Sequence, residues 1–429
     1  MSATITLGAT QGSIPSSLLL GSNAVYNNDG ENLLQSSSLS YRTAVFALVD
    51  ALRPTALRYP GGALADSFHW ANYVSNTTNL GLRQFLDLCM RNNSTPIFTT
   101  NSMVPLDVTG VPQQKLATEA AAWVTQVNVT GLQNDSLDPL PHCTYWEIGN
   151  EPYLIDDGGL TPTTGGRTAP SWALEYSQRF VLMSNAMKAV DPTIKIGLPL
   201  RSDTIGGIAA TPYAGWNAYM IPTLAAYYDF VSVHDAYAPL IFSGTPSDSD
   251  RFLALMAATN TVSADLIATR ALLSASIPIF LTEYNAFFDI DPAYPAAHLD
   301  DIYIPSLATA LYVADLMMVL VTQGVSMANS WSITKNWVFG LINHDSKQTP
   351  AYYLLKELRA VLAGGPLACS VSCDVFSNPA MGIVPASATT PVISAMATRS
   401  GGTTWILIIN KSEASSQAIT VSSSPTLRI

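Results

Sequence analysis

Eight short apolar segments alternate with longer amphipathic segments along most of this chain, and the alternation limits the folds it can adopt. The apolar segments are residues 18–23, 56–60, 96–101, 144–151, 194–198, 230–237, 277–285 and 325–331. Several are apolar at consecutive positions, as strands buried on both faces are. A strand and a helix repeated in this way predict a (β/α)8 TIM barrel, a fold of the α/β class, over residues 16–364. An open doubly wound sheet is the alternative, but no glycine-rich phosphate-binding motif supports it.

The pattern changes after the Gly-Gly-Pro turn at residues 364–366. Residues 392–397, 403–410 and 416–421 are rich in β-branched side chains and are separated by Gly-Gly and Ser-rich turns. Short strands of this kind predict a small antiparallel β-sandwich packed on the barrel. Residues 4–8 are expected to add a strand to it. We therefore predict an accessory domain formed by residues 1–15 and 365–429.

The charge of the chain excludes several classes of partner. The formal net charge is −11, and only 12% of the residues are charged. An acidic surface repels nucleic acid and anionic membranes, so neither is expected as a partner. No apolar stretch reaches the roughly 20 residues needed to cross a bilayer. The composition favours a secreted or extracellular protein, leaves a cytoplasmic one open, and is compatible with a homo-oligomer.

The cysteine and histidine positions predict neither a metal site nor a cofactor. The cysteines are Cys89, Cys143, Cys369 and Cys373, and none has the spacing of zinc ligands. Cys89 and Cys143 are expected to be buried free thiols. Cys369 and Cys373 could form a disulfide only if a turn brings them together. No His-x-His pair or carboxylate cluster lies at a predicted strand end.

Two glutamates follow apolar segments at positions that face each other in a closed barrel. The fourth segment ends in Glu151, and the seventh contains Glu283. Active sites of such barrels lie at the carboxyl ends of the strands. A carboxylate pair at that place suits glycoside hydrolysis, in which one group is protonated and the other ionised. The alternative is that each glutamate is a surface or salt-bridged residue at a strand end.

The segment at 146–152 reads Trp-Glu-Ile-Gly-Asn-Glu-Pro and resembles the Asn-Glu-Pro signature of clan A glycoside hydrolases. The resemblance implies Glu151 as the acid/base and Asn150 as the residue that hydrogen-bonds the sugar 2-hydroxyl. The segment at 282–285, Thr-Glu-Tyr-Asn, is similar to the strand-seven segment of the clan and implies Glu283 as the nucleophile. Glu147 points to the same side of its strand one layer deeper, and we expect it to be structural or to support the residues that contact the substrate.

The segment at 58–62, Arg-Tyr-Pro-Gly-Gly, resembles the end of strand two in arabinofuranosidases and their relatives in this clan. A fixed guanidinium near the nucleophile would keep that carboxylate ionised, which gives Arg58 a role at the site. The alternative is that Arg58 pairs with a buried acid for structural reasons only. The two glycines permit a tight turn beneath the substrate.

Four further residues are predicted to contact the substrate. Clan members often have His-x-Tyr at strand six, and this chain has one extra residue between His234 and Tyr237, so either or both are candidates. The resemblance places an aromatic platform at strand eight, where Trp331 is favoured over Trp337. Asn101, at the end of strand three, is a candidate polar contact.

We predict a retaining glycoside hydrolase that cleaves plant-type polysaccharide or oligosaccharide through a covalent glycosyl-enzyme intermediate. The strand-two segment favours an α-L-arabinofuranosidase. Arabinofuranosidases of this clan commonly carry Glu-His near the end of strand one, where this chain reads Gly-Ser-Asn at 21–23. A β-xylosidase, or an endo-β-glucanase or xylanase of the same clan, is therefore an alternative. A non-catalytic carbohydrate-binding barrel is the alternative of another class, although such proteins usually lose one carboxylate.

Overall fold

The chain forms a parallel barrel and a separate, smaller sheet. The computed structural model describes residues 2–12, 14, 18–35, 40–74, 79–105, 109–154, 168–201, 215–234, 236–241, 247–289, 304–335 and 339–423. Strand β1 (Ser2–Thr10) belongs to the separate sheet. The parallel strands are β2 (Leu18–Asn23), β3 (Ala56–Tyr59), β4 (Thr95–Thr100), β5 (Tyr145–Ile148), β6 (Lys195–Pro199), β7 (Phe230–Val233), β8 (Ala236–Ile241), β9 (Ile279–Asp289) and β10 (Met327–Ser330).

Parallel pairing closes these strands into a ring. They pair in the order β2, β3, β4, β5, β6, β7, β9 and β10, and β10 pairs back to β2. Strand β7 pairs with the N-terminal part of β9, and β8, which follows β7 in the chain, pairs with the C-terminal part of β9. The predicted eight-stranded barrel is confirmed. Ring closure brings the carboxyl ends of all its strands to one mouth.

A helix follows each barrel strand and covers the outside of the ring. The helices are α1 (Thr43–Leu52), α2 (Leu82–Asn92), α3 (Pro112–Val124), α4 (Ala169–Val190), α5 (Trp216–Thr223), α6 (Asp248–Leu272), α7 (Leu307–Thr322) and α8 (Pro350–Leu362). Ser247, Ser306 and Thr349 precede α6, α7 and α8, and each accepts a hydrogen bond from the backbone N–H three residues later. Such caps satisfy donors that the first turn of a helix leaves unpaired.

Helix α6 is long enough and apolar enough to cross a bilayer, judged by length and composition alone. The sequence prediction missed this property. In the fold α6 packs against α7, β8 and β9, and 56% of its most apolar stretch is buried. Because a core helix of a barrel passes the same test, its burial accounts for its apolar composition.

The amino end of the barrel is filled with side chains. A buried cluster there consists of Ala56, Ile97, Phe230, Phe280 and Met327. The rings of Phe230 and Phe280 stack with their centroids 4.2 Å apart. A Cβ at Gly197 would lie 2.4 Å from the Phe230 ring, so this position requires glycine. Since this end is packed, the carboxyl end is the one open to chemistry.

The separate sheet contains strands from both ends of the chain. Its other members follow α8 and are β11 (Gly365–Ser372), β14 (Ile393–Ser400), β15 (Thr403–Asn410) and β16 (Ala418–Ser423), while β12 (Val375–Asn378) and β13 (Ser387–Pro391) form a hairpin. The order is β15-β14-β11-β1-β16, which confirms the predicted accessory β structure with β1 in it. One pairing differs from the antiparallel prediction, because β1 and β16 run parallel. No short hairpin joins them, so nothing forces opposite directions.

A buried ion pair joins this sheet to the barrel. Lys411 follows β15, and its Nζ lies 2.5 Å from Oδ2 of Asp315 on α7. The same oxygen accepts a hydrogen bond from Thr259 Oγ1 on α6 at 2.5 Å. Lys411 is 2% exposed and Asp315 is 5% exposed, so water screens this pair little.

The substitution Lys411→Met is expected to lower the free energy of unfolding by about 3–5 kcal/mol, because it leaves the Asp315 carboxylate buried without its cation. Urea denaturation followed by fluorescence measures the loss. The matched control is Lys356→Met, an exposed lysine on α8, which should change stability by less than about 0.5 kcal/mol. The double variant Lys411→Met/Asp315→Leu should regain most of the loss. Equal stability of Lys411→Met and the wild type would contradict this account.

Candidate active site

Glu151 and Glu283 lie at the same mouth of the barrel, on either side of one imidazole. Glu151 occupies the turn after β5, Glu283 lies on β9, and His234 directly follows β7. His234 Nδ1 is 3.0 Å from Glu151 Oε1, and His234 Nε2 is 3.9 Å from Glu283 Oε1. The two carboxylates are therefore separated by no more than the width of one ring and its two contacts. The fold has brought together two acids that are far apart in sequence.

The Arg58 guanidinium holds Glu283 and Glu147 from inside the barrel. Its Nη1 donates to Glu283 Oε1 at 2.7 Å and to Asn23 Oδ1 at 3.1 Å. Its Nε donates to Glu147 Oε2 at 2.5 Å, and its Nη2 donates to Asn150 Oδ1 at 2.9 Å. Arg58 is 0% exposed and holds these groups from inside the barrel. Its contact with Glu283 fits the role predicted for it at the site, and a direct contact of Arg58 with the substrate stays a prediction.

The charges around Arg58 reinforce one another. Burial opposes the charged form of Arg58, but the negative charges of Glu147 and Glu283 outweigh it and raise the pKa of Arg58 above its ordinary value. Burial likewise opposes ionised Glu147, yet the Arg58 charge and the Thr99 hydroxyl leave the pKa of Glu147 below its ordinary value. Thr99 Oγ1 donates to Glu147 Oε2 at 2.7 Å. A permanent cation therefore lies beside Glu283.

The second oxygen of Glu283 is bound by a phenol. Tyr237 Oη donates to Glu283 Oε2 at 2.8 Å. Burial, followed by the charge of Glu283, raises the pKa of Tyr237 well above its usual range, so the phenol keeps its proton and donates it. With Arg58 on one oxygen and Tyr237 on the other, the carboxylate is held in a fixed orientation. A nucleophile must be oriented in this way to attack.

Glu151 is more accessible than Glu283 and is linked to His234. The side chain of Glu151 is 27% exposed, against 7% for Glu283. Burial disfavours its charged form, but the hydrogen bond and charge of His234 outweigh this and lower the pKa of Glu151. Burial lowers the pKa of His234, while the charges of Glu283 and Glu151 outweigh it and raise that pKa. The opposite directions of these two pKa shifts favour a protonated His234 ring facing an ionised Glu151 carboxylate across the 3.0 Å contact.

Both His234 and Tyr237 reach the site, despite the extra residue between them. The register against β9 is the same for β7 and for β8. His234 directly follows β7, and its Nε2 is 3.1 Å from Thr282 Oγ1. Tyr237 lies on β8 and donates to Glu283. The histidine therefore contacts one glutamate and the tyrosine contacts the other.

Trp331 packs on the glycine turn that follows β3. A Cβ at Gly62 would lie 2.5 Å from the indole, and one at Gly61 would lie 3.3 Å from it. Both glycines have positive φ, 91° for Gly61 and 53° for Gly62, which side chains other than glycine rarely adopt. The glycines therefore let the half-buried indole contact the backbone at the barrel mouth. Trp337 lies outside the described residues.

Asn101 does not join the carboxylate pair. Its Nδ2 donates to the Val104 carbonyl at 2.8 Å, and its Oδ1 accepts from the Met103 N–H at 2.8 Å. These bonds tie the side chain to its own loop after β4. With both ends of the carboxamide used in this way, Asn101 stabilises the loop, and the prediction of a substrate contact has no support from its geometry.

Asn23 is a site residue that the sequence reasoning missed. It ends β2, and its Nδ2 donates to the Thr282 carbonyl at 2.9 Å and to the Ser330 carbonyl at 3.2 Å. Because its Oδ1 also accepts from Arg58, Asn23 joins the ends of β2, β3, β9 and β10. The available signal was a buried amide at the end of the first apolar segment, where the glutamate of the arabinofuranosidase pattern was missing.

The described part of the chain contains no group of three or more His, Cys, Asp or Glu side chains placed to hold a metal ion. Cys89 and Cys143 are buried free thiols, as predicted. Burial raises the pKa of both thiols, so they stay protonated. Cys369 and Cys373 are also free and lie partly exposed in the accessory sheet.

Curated proteins that resemble this chain at low sequence identity are arabinofuranosidases. No family model matches the chain. The exo-α-(1→6)-L-arabinofuranosidase of Bifidobacterium longum is 24% identical over 87% of this chain and 74% of its own length. The intracellular exo-α-L-arabinofuranosidase of Bacteroides ovatus is 23% identical over 98% of this chain and 84% of its own length.

Solved structures extend the likeness to the whole fold. The α-L-arabinofuranosidase of Thermotoga maritima, solved with arabinose, has a TM-score of 0.73 at 19% identity and covers 98% of this chain and 88% of its own. A family 44 endoglucanase of Clostridium thermocellum has a TM-score of 0.59 at 14% identity, covering 99% and 91%. The comparisons confirm the barrel with its accessory β structure. They also confirm the resemblance to clan A glycoside hydrolases near the arabinofuranosidases.

Proposed function

We propose that this glycoside hydrolase is a retaining exo-α-L-arabinofuranosidase, with Glu283 as the nucleophile and Glu151 as the acid/base. The proposal rests on one observation: the two carboxylates on either side of His234 differ in their hydrogen-bond partners and in their exposure. Glu283 is bound on both oxygens, whereas Glu151 is more exposed and lies within hydrogen-bond distance of the imidazole. A retaining mechanism needs one oriented anion and one group that gains and loses a proton. The choice of arabinofuranose rests on the activities of the relatives.

The first step forms a bond between a Glu283 oxygen and the anomeric carbon. The bond from that carbon to the glycosidic oxygen breaks, and the leaving oxygen takes a proton from Glu151. His234 Nδ1 lies 3.0 Å from Glu151 Oε1, so the imidazole can supply this proton to Glu151 by a short transfer. The donors on Glu283 hold it in place while its charge is consumed.

In the second step a water attacks the anomeric carbon, and Glu151 accepts the proton of that water. The ester bond to Glu283 breaks and restores its carboxylate. The negative charge of Glu283 is one of the influences that raise the pKa of His234. That influence disappears in the covalent intermediate, so the imidazole then holds its proton less tightly. Two inversions at one carbon give overall retention.

The configuration of the first-formed product tests the mechanism. We expect proton NMR of the freshly released sugar to show the same anomeric configuration as the substrate, because two displacements occur through Glu283. The spectrum must be recorded before mutarotation. Release of the inverted anomer would exclude a covalent intermediate and the nucleophile role of Glu283.

The sugar specificity has one alternative with support of its own. The structural likeness to a family 44 endoglucanase, and the missing strand-one glutamate, favour a β-xylosidase or endo-β-glucanase or xylanase as the second candidate. A panel of 4-nitrophenyl glycosides with arabinan, xylan and glucan separates these activities. Arabinofuranoside turnover supports the first candidate, and turnover of xylan or glucan alone supports the second. Binding without turnover would support the non-catalytic alternative.

The cytoplasm is the location we propose for the enzyme, which the composition left open beside secretion. Three of the curated relatives that the chain matches are named intracellular, and the four cysteines are free thiols. Free thiols suit a reducing compartment. Detection of the enzyme in fractionated cells of its source tests this, and its presence in the culture medium alone would contradict it. The substrate would then be a short oligosaccharide that enters the cell.

A further inference from the structure

Asn285 follows the nucleophile by two residues on β9 and has no part in the two steps proposed above. It is buried, with 6% of its surface exposed. Its Nδ2 donates to the Trp331 carbonyl and, at 3.0 Å, to the Phe339 carbonyl. Trp331 directly follows β10, and Phe339 lies further along the same connection to α8. One buried amide therefore holds two points of the segment that follows the last barrel strand.

Both backbone groups of Trp331 are bound to β9. Its N–H donates to the Tyr284 carbonyl at 2.9 Å, and its carbonyl accepts from Asn285. The first bond continues the pairing of β10 with β9, which closes the barrel. The second bond depends on a side chain, so a substitution at residue 285 can release the Trp331 carbonyl while the barrel stays closed.

The indole of Trp331 has little room to follow a shift of its backbone. It packs on the glycine turn after β3, where a Cβ at Gly62 would lie 2.5 Å from the ring. Packing this close is sensitive to small displacements. Movement of the Trp331 carbonyl would therefore tilt the indole on the turn or lift it away, and so displace the aromatic surface at the barrel mouth.

The two carbonyl acceptors account for an amide at residue 285. An amide nitrogen carries two hydrogens, so Asn285 can donate to the Trp331 and Phe339 carbonyls at the same time. An ionised aspartate of the same size has no hydrogen to donate and would place a negative charge against two carbonyl oxygens. The chemistry of the side chain, and not its size alone, suits residue 285 to this place.

We propose that Asn285 is a positioning residue that fixes the Trp331 indole as the platform for the sugar, and that it acts on substrate binding and not on the chemical steps. The inference rests on the proposed function, since it takes Trp331 to contact the sugar that Glu283 attacks. An aromatic platform contributes through the face that it presents to the sugar ring, so its tilt sets its contribution. A displaced platform weakens binding of the ground state and the transition state alike, which raises KM and leaves kcat.

A second route from Asn285 leads to the nucleophile and predicts a different result. The Phe339 ring lies edge-on to the Tyr237 ring, with the centroids 6.3 Å apart, and Tyr237 donates to Glu283. If Asn285 acted by this route, its loss would disturb the carboxylate and lower kcat. The relative effects on KM and kcat therefore decide between the two routes.

The test is a double-mutant cycle of Asn285→Ala and Trp331→Ala. Rates are measured on 4-nitrophenyl α-L-arabinofuranoside or, where the glycoside panel favours another sugar, on the aryl glycoside of that sugar. Asn285→Ala should raise KM by about tenfold, the scale of one aromatic contact, with kcat little changed. In the Trp331→Ala background the same substitution should leave KM unchanged, because the platform that Asn285 positions is gone. Asn285→Asp should raise KM at least as much as Asn285→Ala.

Asn128→Ala is the matched control. Asn128 also donates through Nδ2 to a backbone carbonyl, that of Cys143 at 2.9 Å, but this carbonyl precedes β5 at the amino end of the barrel. The control should keep the wild-type KM and kcat.

Several results would overturn the proposal. They are a wild-type KM in Asn285→Ala, a loss confined to kcat, and an equal rise in KM with and without the Trp331 indole. A wild-type KM in Trp331→Ala would overturn it as well, since there would be no platform to position. None of these results bears on the roles of Glu283 and Glu151, which are tested by their own variants.

Acrylamide quenching of tryptophan fluorescence reports on the indole without any substrate. The chain has 8 tryptophans, so the contribution of Trp331 is taken as the difference from Trp331→Phe. Asn285→Ala should make Trp331 easier to quench, and the increase should be absent in Asn285→Ala/Trp331→Phe and in Asn128→Ala. Unchanged quenching in Asn285→Ala would contradict the proposal, whichever sugar the enzyme hydrolyses.

Discussion

Glu283→Ala is expected to lower kcat by roughly 10⁴-fold or more, because the carboxylate that forms the covalent bond is gone. The variant should melt near the wild-type temperature. Arg58 keeps its bonds to Glu147, Asn23 and Asn150, so no buried cation is left without a partner. Initial rates on an aryl arabinofuranoside, together with a thermal melt of the same sample, measure both parts of the prediction.

The control for this loss is Glu357→Ala, which removes an exposed glutamate on α8. It should leave both kcat and the melting temperature at their wild-type values. If Glu283→Ala retained wild-type kcat, the nucleophile assignment would be refuted. A folded variant with abolished turnover would instead show that the loss is chemical, since the barrel itself is intact.

Glu151→Gln is expected to slow the hydrolysis of natural oligosaccharides by about 10²–10⁴-fold, because general acid catalysis supplies a factor of this size. Substrates with an activated aryl leaving group need no proton at departure. Their first step should therefore be affected far less, and the covalent intermediate should accumulate because its hydrolysis lacks a base. Pre-steady-state bursts and a series of aryl leaving groups of different pKa measure the difference.

Glu147→Gln is the control variant for that series. Glu147 lies four positions before Glu151 in the sequence, and its carboxylate binds Arg58 inside the barrel. The variant should lower the rates on all leaving groups by a similar factor, since it acts through the position of Arg58. Equal losses for good and poor leaving groups in Glu151→Gln would argue against its acid role. The comparison separates a residue that transfers a proton from one that supports the site.

Much of this architecture could be predicted because strand ends converge in a closed barrel. A carboxylate just past a buried strand must lie at the mouth, so the positions of Glu151 and Glu283 followed from the order of the segments. The sequence shows the extra residue between His234 and Tyr237, but it does not show which of these two side chains reaches the site. That both His234 and Tyr237 reach the site follows from their side-chain contacts, which the sequence does not give.

The contacts of Arg58 show what the sequence could not provide. Its partners come from the ends of three other strands. The sequence offered pairing with the nucleophile and pairing with a buried acid as alternatives, but Arg58 forms ion pairs with both Glu283 and Glu147. The same limit applies to Asn101, whose strand-end position resembles that of a ligand contact while its side chain bonds to its own loop. Side-chain direction, and not segment order, was the missing information.

The place of β1 in the accessory sheet has a consequence for how the protein is made. This strand is synthesised before the barrel, whereas its neighbours β11 and β16 are translated only after the whole barrel. Contacts between such distant segments form late, because closing a long loop costs entropy before any pairing compensates for it. During translation β1 therefore has unpaired backbone N–H and C=O groups on both edges, and such groups can pair with strands of other chains. A fragment cut after α8 would keep that exposed strand permanently, so it should aggregate even though every strand of its barrel is present.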